Sequence, residues 1–347
     1  MNIGVLTGGG DCPGLNAVVR AIVYKGTSRY NYQFCGIHEG WKGLLDGGTI
    51  TALTVNDVAN ILKFGGTILK TSRSNPLKLP DGVKQIKANM AKHKIDCLLV
   101  IGGVDTLGVA ANLHLQGIKL VAVPKTIDNN VWGTDRTFGF DTAVNVATEA
   151  IDRIRTTAEA HNRVFVIEVM GRDAGWIAIE SGIAGGATMI LIPEFPVDVE
   201  KVVQSVKQRH DRGGEFSVIV VAEGTKLRYG GGEAKPVTVD NEIDEFGHAR
   251  LGGVADRIAD AIRKQIGFDV RSVRLGHIQR GGSPTAYDRV LATRYGIVAV
   301  ELIRLEEFGK MAALQGMKVV TVPLVEVAKS TKTVDPELYQ TAEVFFG

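Results

Sequence analysis

The richest chemistry in the chain follows a single apolar run: Leu120 to Val123 stop at Pro124, and Lys125, Thr126 and Asp128 come at once. The run is short and carries β-branched side chains, as a buried parallel strand does. In open α/β sheets, ligands bind just outside the carboxyl ends of such strands. A carboxylate there, beside an ammonium and a hydroxyl, suits proton transfer next to a bound anion. Taken alone, the segment would also read as a polar strand-to-loop turn. Other strand ends of similar make-up weigh against that.

Thr7-Gly8-Gly9-Gly10-Asp11-Cys12-Pro13-Gly14 lies between the N-terminal strand and a helix. Its glycines let backbone N–H groups approach a phosphate, and the helix N-terminus adds positive potential. It is neither a P-loop nor a GxGxxG, and a tight turn without a ligand would look the same. Ile101-Gly102-Gly103-Val104-Asp105-Thr106 repeats the pattern, although Asp105 or Thr106 could simply cap the helix. At 169–176, Arg172 stands at a helix start with a planar fork suited to phosphate; an ion pair with Asp173 is the plainer alternative. At 271–282, a strand ends in His277 and Arg280 with two glycines behind, and the pair can grip a phosphomonoester. A lone histidine would be structural, but two further arginines lie on the same segment. Several anion-friendly strand ends around one aspartate point to phosphoryl transfer, which needs positioning, charge stabilisation and one base.

The elements that must position these groups are legible as alternating patterns. Apolar runs predict strands at 3–6, 97–101, 120–123, 164–169, 189–192, 216–221, 270–275 and 319–322. Helical periodicity covers 14–25, 82–93, 140–160, 199–208 and 251–265; in 140–160, Ala143, Ala147, Ala150, Ile151 and Ile154 share a face. The alternation predicts an α/β protein with parallel-rich sheets flanked by helices on both faces. A break near 138–141 would separate two lobes, and the Gly- and charge-rich stretch at 227–246 reads as an exposed insertion.

Composition narrows the function classes. The 347 residues suffice for one large or two medium domains, and 45% hydrophobic content with 42 glycines suits many tight strand-to-helix turns. A net charge of +2, with 40 dispersed basic residues, gives no case for nucleic acid or an anionic membrane as partner. Cys12, Cys35 and Cys97 have no metal spacing, so reduced thiols in a cytoplasmic compartment are expected. No signal peptide or apolar stretch of spanning length is present, so a soluble protein is expected.

In order and spacing, Thr7–Gly14, Gly65-Gly66-Thr67 with Arg73, Gly102–Thr106, Pro124–Asn129, Met170–Arg172, Glu223 and Gly276–Gly282 resemble the phosphofructokinase family, over roughly residues 2–310. Asp105 and Lys125 resemble its short bacterial pyrophosphate-dependent branch. The resemblance implies two Rossmann-like lobes: 1–139 plus 280–332 for the phosphoryl donor, and 140–279 plus 333–347 for the sugar phosphate. It implies that Asp128 deprotonates the C1 hydroxyl of fructose 6-phosphate, while Thr126 orients the donor. Arg172 and Arg73 would stabilise the phosphoryl group in flight. Arg163, Arg271, His277 and Arg280 would hold the 6-phosphate, two of these arginines reaching from a neighbouring subunit. Met170, Gly171 and Glu223 would line the sugar pocket. Gly9, Gly10, Gly103, Asp105, Thr106 and Lys125 would form the donor site. Trp41 falls where ATP-using relatives often place an aromatic ring against adenine. The resemblance further implies a cytoplasmic homotetramer, a dimer of dimers, acting in glycolysis with Mg²⁺.

Donor choice has its own physics. ATP-using members carry glycine at the position of Asp105; a carboxylate there would crowd and repel a nucleotide's α-phosphate, and Lys125 adds a cation for pyrophosphate. Two positions depart from the family pattern. Val104 and Asn130 stand where carboxylates associated with Mg²⁺ are usual, leaving Asp105 as a candidate ligand. Of the family's effector-site bases, Arg20 and Arg155 match while Tyr24 replaces an arginine, which counts against nucleotide regulation. The readings that compete with pyrophosphate and fructose 6-phosphate are ATP as donor, sedoheptulose 7-phosphate as acceptor, and a catalytically weakened sugar-phosphate-binding homologue.

Overall fold

The computed structural model of the protein describes residues 1–346; Gly347, which closes the range expected for the second lobe, lies outside the described residues. In chain order the strands are β1 (Asn2–Thr7), β2 (Gln33–Ile37), β3 (Ile50–Ala52), β4 (Cys97–Gly102), β5 (Leu120–Pro124), β6 (Val164–Val169), β7 (Met189–Leu191), β8 (Val197–Asp198), β9 (Ser217–Ala222), β10 (Lys226–Arg228), β11 (Lys235–Pro236), β12 (Thr238–Ile243), β13 (Ala249–Leu251), β14 (Val270–Arg274), β15 (Lys310–Gln315) and β16 (Lys318–Pro323). The chain divides into two compact units. One comprises Met1–Thr142, Asp244–His248 and Arg280–Lys332; the other holds Ala143–Ile243, Ala249–Gln279 and residues 333–346.

The first unit is built on a seven-stranded sheet in the order β16-β15-β5-β4-β1-β2-β3. Its centre is parallel, and the edge pairs β15/β16 and β2/β3 are antiparallel. Every residue of β4 and β5 is buried, which is why both read as unbroken apolar runs. Leu6, Leu98, Val100, Leu120 and Ala122 pack there with Leu107, Ala110 and Leu113 of the helix Val104–Leu115. Register then fixes the site. Thr7 pairs with Ile101, and Gly102 with Pro124, so three strands end at one edge of the sheet.

The second unit has a four-stranded parallel sheet, β14-β6-β9-β7. Its core joins Val166 and Ile219 to Val202 and Val206 of the helix Val199–Asp211, and to Ile258 and Ile262 of the helix Val254–Ile266. That last helix begins on a buried carboxylate. Both Glu168 oxygens accept from Gly253 N at 3.1 Å, and one also accepts from Ala255 N at 3.0 Å. An anion at a helix N-terminus satisfies donors that the helix itself cannot. The stretch expected to be an exposed insertion is largely exposed, with Leu227 its one buried residue among those described, and it is not structureless. It forms β10 to β12, and its last residues lead into Asp244–His248, which groups with the first unit.

Candidate active site

In the first unit, backbone hydrogen bonds draw three loops together. Gly8 N donates to Ile101 O and Lys125 N to Gly102 O, each at 2.9 Å. Thr106, 2% exposed, packs between the two glycine turns: a Cβ added at Gly8 would lie 2.7 Å from its hydroxyl, and one at Gly102 would lie 2.4 Å from its side chain. Gly9 adopts φ 79°, a left-handed backbone that a side chain would oppose. Gly9, Gly10, Gly103, Asp105, Thr106 and Lys125, the residues expected to form the donor site, therefore share one edge of one sheet.

Lys125 is the buried cation of this edge. It is 2% exposed, and its ammonium donates to the carbonyl of Gly10. Burial pushes its pKa down to about 8, because the charged form loses hydration. Arg280 flanks the same turn. Its Nη1 donates to Asp11 O at 3.3 Å and would lie 2.7 Å from a Cβ at Gly10. Of the four residues expected to hold the sugar's 6-phosphate, Arg280 is thus the one placed with the turn of Gly8 to Gly10.

Asp128 follows Lys125 on a loop that is locked in place. Its own N–H donates to Thr126 Oγ1 at 3.1 Å, and Thr137 Oγ1 donates to Thr126 O at 2.7 Å. Asn129 sits at φ 49° and accepts from Thr137 N at 3.0 Å. Within this frame Asp128 is half-buried, and its Oδ1 is shielded from solvent without a hydrogen-bond partner among the described residues. Asn130 Oδ1 is in the same state. Such a group costs about 1–3 kcal/mol and asks for a reason other than stability.

Two side chains near the donor edge are engaged by a segment that carried no functional signal in the sequence. Asp105 meets His248 Nε2 with both oxygens, at 3.0 and 3.1 Å. Arg73 donates to Asp244 at 3.1 Å. The charge and glycine of that stretch resembled any solvated loop. Val104 packs against the apolar core, and Trp41, 2% exposed, is part of that core. Trp41 therefore presents no open face to a base.

In the second unit, β6 and β9 end together. Glu223 N donates to Val169 O at 2.9 Å and Gly224 N to Gly171 O at 3.1 Å, which sets Glu223 beside the turn of Met170 and Gly171. Gly171 has φ 135°. Arg172 donates from Nη1 to Ala249 O at 2.8 Å. Gln279, fully buried and unassigned by sequence reasoning, accepts from Met170 N at 3.2 Å and donates to Gly276 O at 3.0 Å. It ties the turn of Met170 and Gly171 to the turn that carries the exposed His277.

Arg163 and Arg271 lie elsewhere. They stand at the amino ends of β6 and β14, where Asp269 binds both, at 2.6 and 2.8 Å. Met170, Gly171, Glu223 and His277 follow the carboxyl ends. Six strand residues separate the two sets, a span of roughly 20 Å. Within the second unit, Arg163 and Arg271 therefore lie at the opposite strand ends from His277, while Arg280 belongs to the first unit.

A family model for phosphofructokinase matches residues 2–303. The chain is 55% identical, over the full length of both, to a pyrophosphate–fructose 6-phosphate 1-phosphotransferase of Amycolatopsis mediterranei. It is 47% identical to an ATP-dependent 6-phosphofructokinase of Corynebacterium efficiens, covering all of this chain and 99% of that one. Among solved structures, a phosphofructokinase of Pichia pastoris superposes with a TM-score of 0.82 at 31% identity, over 99% of this chain and 36% of that one.

Proposed function

The chain belongs to the phosphofructokinase family, and on that footing we propose that it transfers a phosphoryl group from pyrophosphate to the C1 hydroxyl of fructose 6-phosphate. The observation that carries this reading is Asp128, a half-buried carboxylate with one shielded oxygen unpartnered, held beside Thr126 and the cation Lys125. Asp128 takes the C1 proton, the C1 oxygen bonds to phosphorus, and the bridging P–O bond breaks. Fructose 1,6-bisphosphate and inorganic phosphate leave. Thr126 orients the donor, Lys125 and the Gly8–Gly10 turn hold its oxygens, and Arg73 and Arg172 offset charge on the group in flight. Met170, Gly171, Glu223 and His277 hold the sugar phosphate.

Three observations support pyrophosphate over ATP. Asp105 places a carboxylate at the donor edge, Trp41 is sealed in the core, and the Amycolatopsis relative is named for pyrophosphate. The arrangement of Arg163 and Arg271 supports at least a dimer, in which these two arginines serve a neighbouring subunit's sugar phosphate, and the dimer of dimers rests on the family resemblance. A cytoplasmic place in glycolysis belongs to the same reading.

The residues present do not make a magnesium cage. Val104 faces the core, Asp105 is engaged by His248, and among the described residues no three His, Cys, Asp or Glu side chains converge as metal ligands. Magnesium enters only as the companion of the pyrophosphate substrate.

The test is a matrix of initial rates for the purified enzyme with Mg²⁺: pyrophosphate or ATP as donor, fructose 6-phosphate or sedoheptulose 7-phosphate as acceptor. We expect the largest kcat/KM with pyrophosphate and fructose 6-phosphate. Turnover with ATP and none with pyrophosphate would overturn the donor assignment. A larger kcat/KM for the seven-carbon sugar would overturn the acceptor.

A further inference from the structure

Asp105 opens the helix Val104–Leu115, directly after the Gly102-Gly103 turn, and its side chain is only partly covered. Left alone, a carboxylate there would rotate about its two side-chain dihedrals and face water. It does not do so, because His248 Nε2 stands 3.0 Å from one oxygen and 3.1 Å from the other. His248 is itself held. Asp244 Oδ1 accepts from His248 N at 3.0 Å and from Phe246 N at 2.9 Å, while Asp244 N donates to His248 O at 3.0 Å. The segment is anchored outside itself as well. Asp244 accepts from Arg73, Glu245 accepts from Asn75 N at 2.7 Å, and Phe246 packs against the first unit's core. The imidazole therefore reaches Asp105 from a braced loop rather than from a free chain.

We propose that His248 is a specificity-determining positioning residue of the donor site: it clamps both oxygens of Asp105, so that the carboxylate keeps its place and excludes a donor larger than pyrophosphate. The inference rests on the reading that Asp105 selects the donor, and it adds the group that makes the selection rigid. A carboxylate that can swing aside would repel a nucleoside triphosphate less, because repulsion can be relieved by rotation. One that is pinned cannot yield. The effect should be confined to donor choice, since none of these contacts involves the sugar-phosphate residues of the second unit.

The experiment compares kcat/KM for pyrophosphate and for ATP in wild type, His248→Ala, His248→Gln, Asp105→Gly and the double variant His248→Ala/Asp105→Gly, with melting temperatures recorded for each. His248→Ala should lower the pyrophosphate:ATP ratio by roughly two- to fivefold, the scale of a partly exposed pair. The change should appear chiefly as a lower KM for ATP, with KM for fructose 6-phosphate unmoved. His248→Gln, which keeps an N–H donor, should restore the ratio. In the Asp105→Gly background the same change should do nothing further, because the clamp has lost its object. Equal losses with both donors, or the same shift with and without Asp105, would overturn the proposal and leave His248 a structural residue. The two readings fail differently. If Asp105→Gly itself leaves the donor ratio unchanged, the donor role of Asp105 falls; if it shifts the ratio and His248→Ala does not, only the clamp falls.

Discussion

Arg163 and Arg271 share the carboxylate of Asp269, at 2.6 and 2.8 Å, at the amino ends of two neighbouring parallel strands. Two guanidinium groups drawn to one carboxylate form a paired fork that retains a net positive charge. If that fork completes a neighbouring subunit's sugar site, Arg271→Ala should raise KM for fructose 6-phosphate with kcat far less affected. At sub-saturating fructose 6-phosphate, hybrids of Arg271→Ala with Asp128→Asn subunits should be more active than either parent. Hybrids no more active than the average of the two parents would separate the arginines from a shared site.

Lys125 should impose a pH limit on donor binding. Burial holds its pKa near 8, so the ammonium is present below that pH and lost above it. We expect kcat/KM for pyrophosphate to fall as pH rises through about 8 in the free enzyme, and Lys125→Met to remove that limb of the profile. A limb that survives in Lys125→Met would assign it to another group.

Gln279 predicts a split between stability and affinity. Removing its amide leaves Met170 N–H without the acceptor it has now, in a buried setting. Gln279→Ala should destabilise the fold by about 1–3 kcal/mol in urea unfolding and raise KM for fructose 6-phosphate. A stable variant with unchanged KM would show that the tie between the two turns is unimportant.

The cysteines should be silent. All three are buried, and burial raises Cys12 and Cys97 to about 12 and Cys35 to about 11. The thiolate is the reactive form, so alkylation at pH 8 should be slow in the native protein and fast in denaturant. Rapid native labelling without loss of structure would contradict this burial.

The buried centre of each sheet was plain in the sequence, because strands covered on both faces must be continuously apolar and several of their exits bend at glycine. The expected strands at 97–101, 120–123 and 164–169 fall inside β4, β5 and β6. Other elements were hidden for physical reasons. In β2, Gly36 interrupts the apolar run because a Cβ there would lie 2.5 Å from Leu69. In the helix Ala286–Arg304, the buried stripe of Leu291, Ala292, Tyr295 and Ala299 is blurred by exposed Val290 and Ile297. The groups at the strand ends could be read one at a time, and the family resemblance gave them roles. Their grouping could not be read. The pairing of Asp105 with His248 spans 143 positions, and no local pattern records a contact made by a loop returning from so far along the chain. Trp41 shows the opposite failure, since position alone suggested a stacking face and packing removes it.

The turnover number of Asp128→Asn with pyrophosphate and fructose 6-phosphate decides whether this carboxylate is the base. The substitution keeps the shape of the side chain and removes its capacity to take a proton. We expect kcat to fall by roughly a hundred- to ten-thousand-fold, with the dissociation constant for fructose 6-phosphate little changed. A kcat near the wild-type value would contradict the role assigned to Asp128 and, with it, the mechanism built around that residue.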